Sequence, residues 1–299
     1  MTSKTVLITG ATGKQGGGVI SALLDSPDAN KYKILALTRN SSSPAAIALA
    51  AKSPLITIVQ GDSTKPVPIF EAHKPIDSVF CMTAAAPATK VPEEDQAYPL
   101  IDESVKQGVK HFVFTSVDRG GPGVSEGNPT VIPHFASKHR IEEYLKKKSE
   151  GTDMAWTILR PVAFMDNLSP GFFGKVFPAM WAGLGTKPLQ LVSVHDIGVF
   201  GARALRAREA YKGRAISLAG DELTVEQGRT IFAETMGRSM PETYGFVGWA
   251  VKSGVKEMGT MFKWFETDGY GADIKALRKE EPKLQDFKTW LKESSGFSK

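Results

Sequence analysis

The chain has 299 residues, of which 41% are hydrophobic and 23% are charged, and it contains one cysteine. This length accommodates one large domain or two small ones, and the composition is that of a globular protein with a sizeable core. A single cysteine excludes an intramolecular disulfide framework and is typical of a reducing compartment. Cys81 lies in an apolar run, so we interpret it as a buried small hydrophobe.

The charge pattern and the hydropathy restrict the location and the partners. We expect neither a signal peptide nor a membrane helix, since no window approaches the ~18 apolar residues that a span needs. The expected location is the cytosol, with the nucleus as an open alternative. A net charge of +5 indicates either nucleic acid or a smaller anionic ligand as a partner. Basic residues are scattered apart from Lys146, Lys147 and Lys148, which suit a helix C-terminus, so we expect no direct nucleic-acid binding.

The first half of the chain alternates short β-rich runs with helical stretches. The spacing leaves room for one helix between runs, and several runs are apolar on both faces, as parallel strands covered by helices are. This pattern predicts an α/β fold, a doubly wound parallel sheet of the Rossmann type. The predicted strands are Thr5–Thr9, Ile34–Thr38, Ile56–Gln60, Ser78–Met82, His111–Thr115, Trp156–Leu159 and Ala215–Leu218.

A glycine-rich loop, TGATGKQGGG, joins the first predicted strand to an amphipathic helix. Free backbone N–H groups at a helix N-terminus form a ready anion site. The glycine spacing suits a tight turn, close approach to a pyrophosphate and close helix packing, which indicates a dinucleotide. No lysine followed by Ser or Thr is present here, which disfavours a nucleoside triphosphate. The predicted cofactor contacts of this loop are Gly10, Thr12, Gly13, Lys14, Gln15 and Gly16.

The ends of the next three strands indicate which dinucleotide binds. The second strand ends in LTRN, where an NAD site usually carries an acidic residue that accepts from the ribose. Arg39 cannot accept, but its planar fork suits a 2′-phosphate, so we predict NADP(H); the alternative is an ordinary exposed arginine. Asp62 and Ser63 are placed to meet the adenine. Thr83 and Ala84 are placed along the ribose and diphosphate.

One face of a later predicted helix carries Lys138 together with Ile141 and Leu145. A lysine on an apolar face is uncommon unless it is paired. It can be held by ribose hydroxyls, act as a general acid or base, or extend its head to the edge of the helix. We predict a cofactor contact and name Lys138 as the candidate catalytic residue. His134, one turn earlier, could donate a proton or simply be hydrogen-bonded at the helix start.

The second half of the chain is more helical. Asp196 is predicted to cap the helix that follows it, with an acid catalyst as the alternative. A stripe of apolar residues predicts a further helix that packs into the core or lines a substrate pocket, and two helical pieces separated by Pro282 follow. The five histidines show no ligand spacing, so no metal site is predicted. The stripe consists of Val251, Val255, Met258, Phe262 and Phe265, and Lys252, Lys256 and Lys263 fall outside it.

These patterns predict two domains. Residues 1–160 form the dinucleotide-binding Rossmann domain, which a returning helix at about residues 195–208 rejoins. Residues 161–299 form a smaller, mostly helical domain for substrate binding or regulation.

Several motifs together resemble the NmrA-like family, an atypical branch of the short-chain dehydrogenase/reductase superfamily, over nearly the whole chain. They are TGATGKQGGGVI, LTRN, HFASKHRIEEYL, LRPVAFMDNL, VSVHDIG and ISLAGDELT, and the tail WFETDGYGADIKALRKEEPKLQDFKTWL resembles fungal members. The resemblance implies a Rossmann domain that binds a dinucleotide, usually NADP. It also implies that Phe164 and Asn167 approach the nicotinamide, and that Ser116 stands where the superfamily often keeps a catalytic serine.

One departure from the superfamily leaves two functions open. Active members typically carry Tyr-x-x-x-Lys, whereas this chain has His134 and Lys138 at that spacing. The family resembled includes regulators that bind the nucleotide without turnover, and neighbouring branches include NADPH reductases. The leading hypothesis is an NADPH-dependent reductase of a small aromatic or conjugated carbonyl compound. The alternative is a non-catalytic NADP(H) redox sensor or transcriptional co-regulator that acts through a protein partner. The oligomeric state is not indicated.

Overall fold

The computed structural model describes residues 3–85, 88–243 and 256–298, and these divide into two compact units. The first unit contains the described residues of Met1–Ser116, Ser137–Leu159 and Ile197–Ile216. The second contains those of Val117–Ala136, Arg160–Asp196 and Ser217–Lys299.

A seven-stranded sheet has the order β3-β2-β1-β4-β5-β6-β9. The registers from β3 through β6 are all parallel, and the order reverses direction between β1 and β4. The predicted doubly wound α/β fold is therefore confirmed. The strands are β1 (Lys4–Ile8), β2 (Tyr32–Thr38), β3 (Ile56–Gln60), β4 (Ser78–Cys81), β5 (His111–Thr115), β6 (Ala155–Pro161) and β9 (Arg214–Leu218).

Strands β4 and β5 are buried along their whole length, as expected for central parallel strands covered on both faces. The core of the first unit is largely aliphatic and includes Ile141 and Leu145, both fully buried. The apolar face that was predicted around Lys138 is thus the inward face of its helix.

The helices that carry first-unit residues follow the strands in alternation. α1 begins directly after Gly13, which has an extended backbone. A Cβ on Gly198 would lie 2.5 Å from the carbonyl carbon of Gly18, so these two glycines let two helices approach closely. The helices are α1 (Lys14–Leu24), α2 (Pro44–Ala50), α3 (Val67–His73), α4 (Glu93–Lys106), α5 (Pro133–Ser149), α7 (Val194–Arg206) and α8 (Arg208–Tyr211).

The start of α7 differs from the sequence prediction. The helix begins at Val194, and the Ser193 hydroxyl accepts from the Asp196 backbone N–H at 3.0 Å. Ser193 is therefore the capping residue, and the prediction that Asp196 caps this helix was wrong. The physical reason is that either polar residue can cap a helix, and here the Asp196 backbone N–H is itself one of the first-turn donors that the Ser193 hydroxyl satisfies.

The second unit is mostly helical around a small sheet. Strands β7 (Ala163–Phe164), β8 (Leu189–Val192) and β10 (Asp221–Leu223) form it in the order β10-β8-β7. These strands are too short to give a two-residue period and were not predicted. The helices are α6 (Phe172–Trp181), α9 (Val225–Met236), and those spanning Lys256–Thr267, Ile274–Glu280 and Phe287–Glu293.

The core of the second unit is rich in aromatic side chains. Phe262 and Phe265 are buried in it, and Met258 packs against it, so the core interpretation of the apolar stripe is confirmed for these three residues. Val251 and Val255, like Lys252, lie outside the described residues.

Candidate functional site

A cleft of about 300 Å³ lies in the first unit beyond the carboxyl ends of β1, β2, β3 and β4. Open α/β sheets bind ligands in this place, where the strand order reverses. The cleft is lined by six predicted cofactor residues, which are Gly10, Thr12, Arg39, Asp62, Ser63 and Ala84. The other lining residues are Thr9, Leu37, Thr38, Asn40, Gly61, Thr64, Met82, Thr89, Val91 and Gln96.

The glycine turn after β1 has the geometry that its spacing predicts. Gly10 has a φ of +59°, which an L side chain rarely adopts. A Cβ on Gly16 would lie 2.5 Å from the Gly10 carbonyl oxygen, so only glycine allows α1 to begin this close to the strand. The turn therefore directs the N-terminus of α1 towards the sheet edge.

Of the remaining loop residues, Gly13 and Lys14 lie beside the cleft, and Thr12 lies between it and a second cavity. Thr12, Gly13 and Lys14 line this second cavity of about 280 Å³ on the α2 side of the loop. The amide oxygen of Gln15 accepts from the Thr115 hydroxyl at 2.8 Å, which ties the loop to the end of β5.

Arg39 is exposed at the end of β2 and makes no hydrogen bond or ion pair with any residue that the structure describes. Its guanidinium therefore keeps all of its donors for a ligand. Asp62, after β3, accepts from the Thr64 backbone N–H at 2.9 Å and so shapes the neighbouring turn.

The segment after β4 is held by the side chain of Gln96 on α4. Its amide nitrogen donates to the carbonyl oxygens of Ala84 at 2.8 Å and Val91 at 2.9 Å. Its amide oxygen accepts from the Ala84 backbone N–H at 3.0 Å. Because Ala84, Val91 and Gln96 all line the cleft, this amide fixes one of its walls.

Lys138 is a buried, paired cation. Its ammonium lies 2.8 Å from Glu93 Oε2, and the exposed fractions of the two side chains are 13% and 5%. The ammonium also donates to the Thr83 hydroxyl at 3.0 Å, and that hydroxyl donates to the same Glu93 oxygen. Lys138 and Thr83 are absent from the lining of the cleft. The lysine therefore does not extend to solvent, and its charge is balanced by a carboxylate.

Ser116 follows β5 and is also buried. Its hydroxyl donates to the carboxylate of Glu142 on α5, one helical turn beyond Lys138. The serine that the resemblance highlights is thus engaged by an acidic partner inside the first unit.

Several candidate residues belong to the second unit. The Nδ1 atom of His134 lies 2.5 Å from Glu257 Oε1, which also accepts from the His134 backbone N–H at 3.1 Å. Phe164 ends β7 and Asn167 ends a short turn, and their contact with a cofactor stays a prediction. Asp196 accepts from the Ser193 hydroxyl and the Gln285 backbone N–H, and burial raises the pKa of its carboxyl to about 6.

Sequence reasoning missed two residues of this site, Glu93 and Gln96. Both fall in the first turns of α4, where Glu93, Glu94 and Asp95 form an acidic run. Such a run is ordinarily explained by the helix dipole, so nothing in the local pattern singles out the buried member.

Within residues 3–85, 88–243 and 256–298, no group of three or more His, Cys, Asp or Glu side chains could hold a metal ion. No helix in those same ranges is long and apolar enough to cross a membrane.

The glycine turn, the strand order and the cleft define a Rossmann-type protein. A model of the NmrA-like family matches residues 2–291. The chain therefore belongs to the NmrA-like family, and the resemblance that its motifs indicated is confirmed.

Among curated proteins, the chain is similar to the NmrA-like family domain-containing oxidoreductase lnaB of Aspergillus flavus. The two are 31% identical over 191 residues, which cover 60% of this chain and 52% of that protein. The chain spans about half the length of the fungal oxidoreductases it matches.

Two solved structures show the same fold. The NADPH-dependent quinone oxidoreductase QOR2 of Escherichia coli, complexed with NADPH, has a TM-score of 0.72 at 21% identity, covering 95% of this chain and 97% of that one. NmrA, a negative transcriptional regulator in complex with NADP, has a TM-score of 0.68 at 16% identity, covering 98% and 96%. One fold thus serves an enzyme and a regulator.

Proposed function

We propose that this protein binds NADP(H) in the cleft and uses NADPH to reduce a small aromatic or conjugated carbonyl compound. The observation that carries the cofactor choice is Arg39. An exposed guanidinium with no described protein partner, at the end of β2, suits a 2′-phosphate and not a bare ribose.

The residues around the cleft fit the other parts of this cofactor. The backbone N–H groups that open α1 would hold the diphosphate, apart from that of Gly13, which donates to the Gly10 carbonyl oxygen at 2.9 Å. Asp62 and Ser63 would meet the adenine, and Thr83 and Ala84 the ribose and diphosphate. The Gly16 contact with Gly10 supports this fit, since a side chain there would displace α1.

The proposed chemistry depends on Lys138. When bound, the reduced nicotinamide supplies a hydride. Lys138 would hold the nicotinamide ribose and relay the proton, because its ammonium carries three N–H donors and a buried charge acts strongly on nearby groups. Glu93 and Thr83 hold that ammonium in one direction. Similarity to fungal oxidoreductases supports an enzyme.

A redox sensor is the second candidate, and two observations favour it. The superfamily tyrosine is replaced by His134, and the Lys138 ammonium is already engaged by Glu93. A sensor would bind NADP⁺ and NADPH with different affinities and pass that difference to a protein partner.

Binding and turnover assays distinguish the two functions. NADPH affinity is measured first, and NADPH oxidation is then followed with quinones, enones and aromatic ketones for the native protein and Lys138→Arg. Arginine keeps the positive charge but has no proton to give near neutral pH. Turnover by the native protein that collapses in Lys138→Arg, with NADPH still bound, supports the reductase. Tight NADPH binding without turnover across the panel contradicts it and favours the sensor.

A further inference from the structure

The buried carboxylate of Glu93 has one oxygen in use and one without a partner. Oε2 contacts the Lys138 ammonium at 2.8 Å and accepts from the Thr83 hydroxyl. Oε1 is buried and has no hydrogen-bond partner among the residues that the structure describes. A buried carboxylate oxygen without a donor is unfavourable, so this atom is suited to a donor that the chain does not supply.

The neighbouring Lys138 ammonium has an N–H donor that lacks an acceptor. An ammonium carries three N–H donors. Within the described chain, Lys138 uses two of them, towards Glu93 and Thr83. One acceptor and one donor therefore stand side by side on adjacent residues, both largely buried. A vicinal diol matches this pair, because each of its hydroxyls can donate and accept.

The strand order indicates which diol can reach this pair. Thr83 follows β4, which lies on the opposite side of β1 from β2 and β3. A dinucleotide lies across this reversal of the strand order. Arg39 and Asp62 follow β2 and β3, so the phosphorylated adenosine half belongs on their side. The other half, which carries the nicotinamide ribose, belongs on the side of Thr83.

We propose that Glu93 is a cofactor-binding residue: its Oε1 accepts a hydrogen bond from one hydroxyl of the nicotinamide ribose, while Lys138 donates to the other. This inference rests on the proposed binding of NADP(H), and it is independent of whether the protein turns over.

Two ligands and two variants test the assignment. NADPH carries the nicotinamide ribose, and adenosine 2′,5′-bisphosphate does not. Glu93→Gln preserves the shape of the side chain but weakens its acceptor. Asp95→Asn is the matched control, since Asp95 is exposed in the same turn of α4 and loses the same charge. Dissociation constants are measured by calorimetry for each pair of protein and ligand.

We expect Glu93→Gln to weaken NADPH binding about tenfold and to leave the affinity for the bisphosphate unchanged. Asp95→Asn should change neither affinity. Equal NADPH affinity in Glu93→Gln and the native protein overturns the inference. So does an equal loss for both ligands, which would mean that Glu93 only supports the fold. A rise in the KM of a carbonyl substrate at unchanged NADPH affinity would assign the free oxygen to the substrate and also overturn it.

A measurement on the native protein keeps the test valid if Glu93→Gln does not fold. An NADP⁺ analogue whose nicotinamide ribose lacks both hydroxyls should bind about 100-fold more weakly than NADP⁺, because the hydrogen bonds to Glu93 and to Lys138 are both lost. Equal affinities contradict the inference. If the native protein binds no NADPH, both the proposed function and this inference fail. If it binds NADPH with the expected Glu93 dependence but shows no turnover, only the reductase fails.

Discussion

Arg39 and Lys138 are two cations of the first unit in opposite environments. Arg39 is exposed at the end of β2 and has no partner among the described residues, whereas Lys138 is 13% exposed and lies 2.8 Å from a carboxylate. An exposed charge is already solvated, so its removal affects a ligand and hardly affects the fold. A buried pair is different, because removing one member leaves the other unpaired in a poorly solvated place. Substitution of Lys138 should therefore lower the stability of the fold, whereas substitution of Arg39 should lower the affinity for the cofactor.

The largest expected effect is on the stability of Lys138→Met. This variant should lower the free energy of unfolding by about 3–5 kcal/mol, because it leaves the Glu93 carboxylate buried and unpaired. Arg39→Ala should change it by no more than about 0.5 kcal/mol. Urea denaturation measures both.

The double variant Lys138→Met/Glu93→Leu is the control for that result. It should recover much of the lost stability, since no charge is then left buried. If Lys138→Met and Arg39→Ala are equally stable, the claim that only the buried cation contributes to the stability of the fold is incorrect.

The second effect is on cofactor choice. Arg39→Ala should weaken NADPH binding about 100-fold, because two or more charge-assisted hydrogen bonds to the 2′-phosphate are lost. NADH affinity should hardly change, since NADH has no such phosphate. Fluorescence titration with both nucleotides measures this, and equal losses for NADPH and NADH would refute the assignment of Arg39.

The glycine turn lies between the two cations, and a matched pair of variants tests its geometry. Gly16→Ala should destabilise the protein by about 1–3 kcal/mol, because the new Cβ would lie 2.5 Å from the Gly10 carbonyl oxygen. Gly17→Ala meets only an ordinary contact at 3.5 Å and should stabilise α1 by about 0.5–1 kcal/mol. Thermal unfolding should show a lower melting temperature for Gly16→Ala and a higher one for Gly17→Ala. A shift of the melting temperature in the same direction for both variants would contradict the packing argument.

The smallest expected effect is on NADPH affinity, and it concerns the wall of the cleft that Gln96 holds. Gln96→Ala should weaken NADPH binding about fivefold, because Ala84 and Val91 lose the amide that holds them. Gln107→Ala, at the far end of α4, is the control and should leave NADPH affinity unchanged. Unaltered affinity in Gln96→Ala would show that the wall holds its position without this side chain.

The candidate site divides into a part that the sequence predicts and a part that it does not. The Gly10 turn and the Gly16 contact follow from residue spacing along one strand, turn and helix. The position of Arg39 follows from the end of one apolar run. By contrast, the acidic run that opens α4 gives no sign that Glu93 is buried while Asp95 is exposed.

The sequence by itself determined the strands of the central sheet, the glycine turn, the cation at the end of β2 and the membership of the NmrA-like family. Each depends on a local period or a local spacing, which the order of residues records directly. Only the tertiary structure decided that Glu93 pairs with Lys138, that Gln96 holds Ala84, and that Ser193 caps α7 in place of Asp196. The first contact joins two separate helices, the second joins α4 to the segment after β4, and the third depends on which of two polar residues meets the free N–H groups of the first turn. Packing decides all three, and none of them leaves a periodic trace in the sequence.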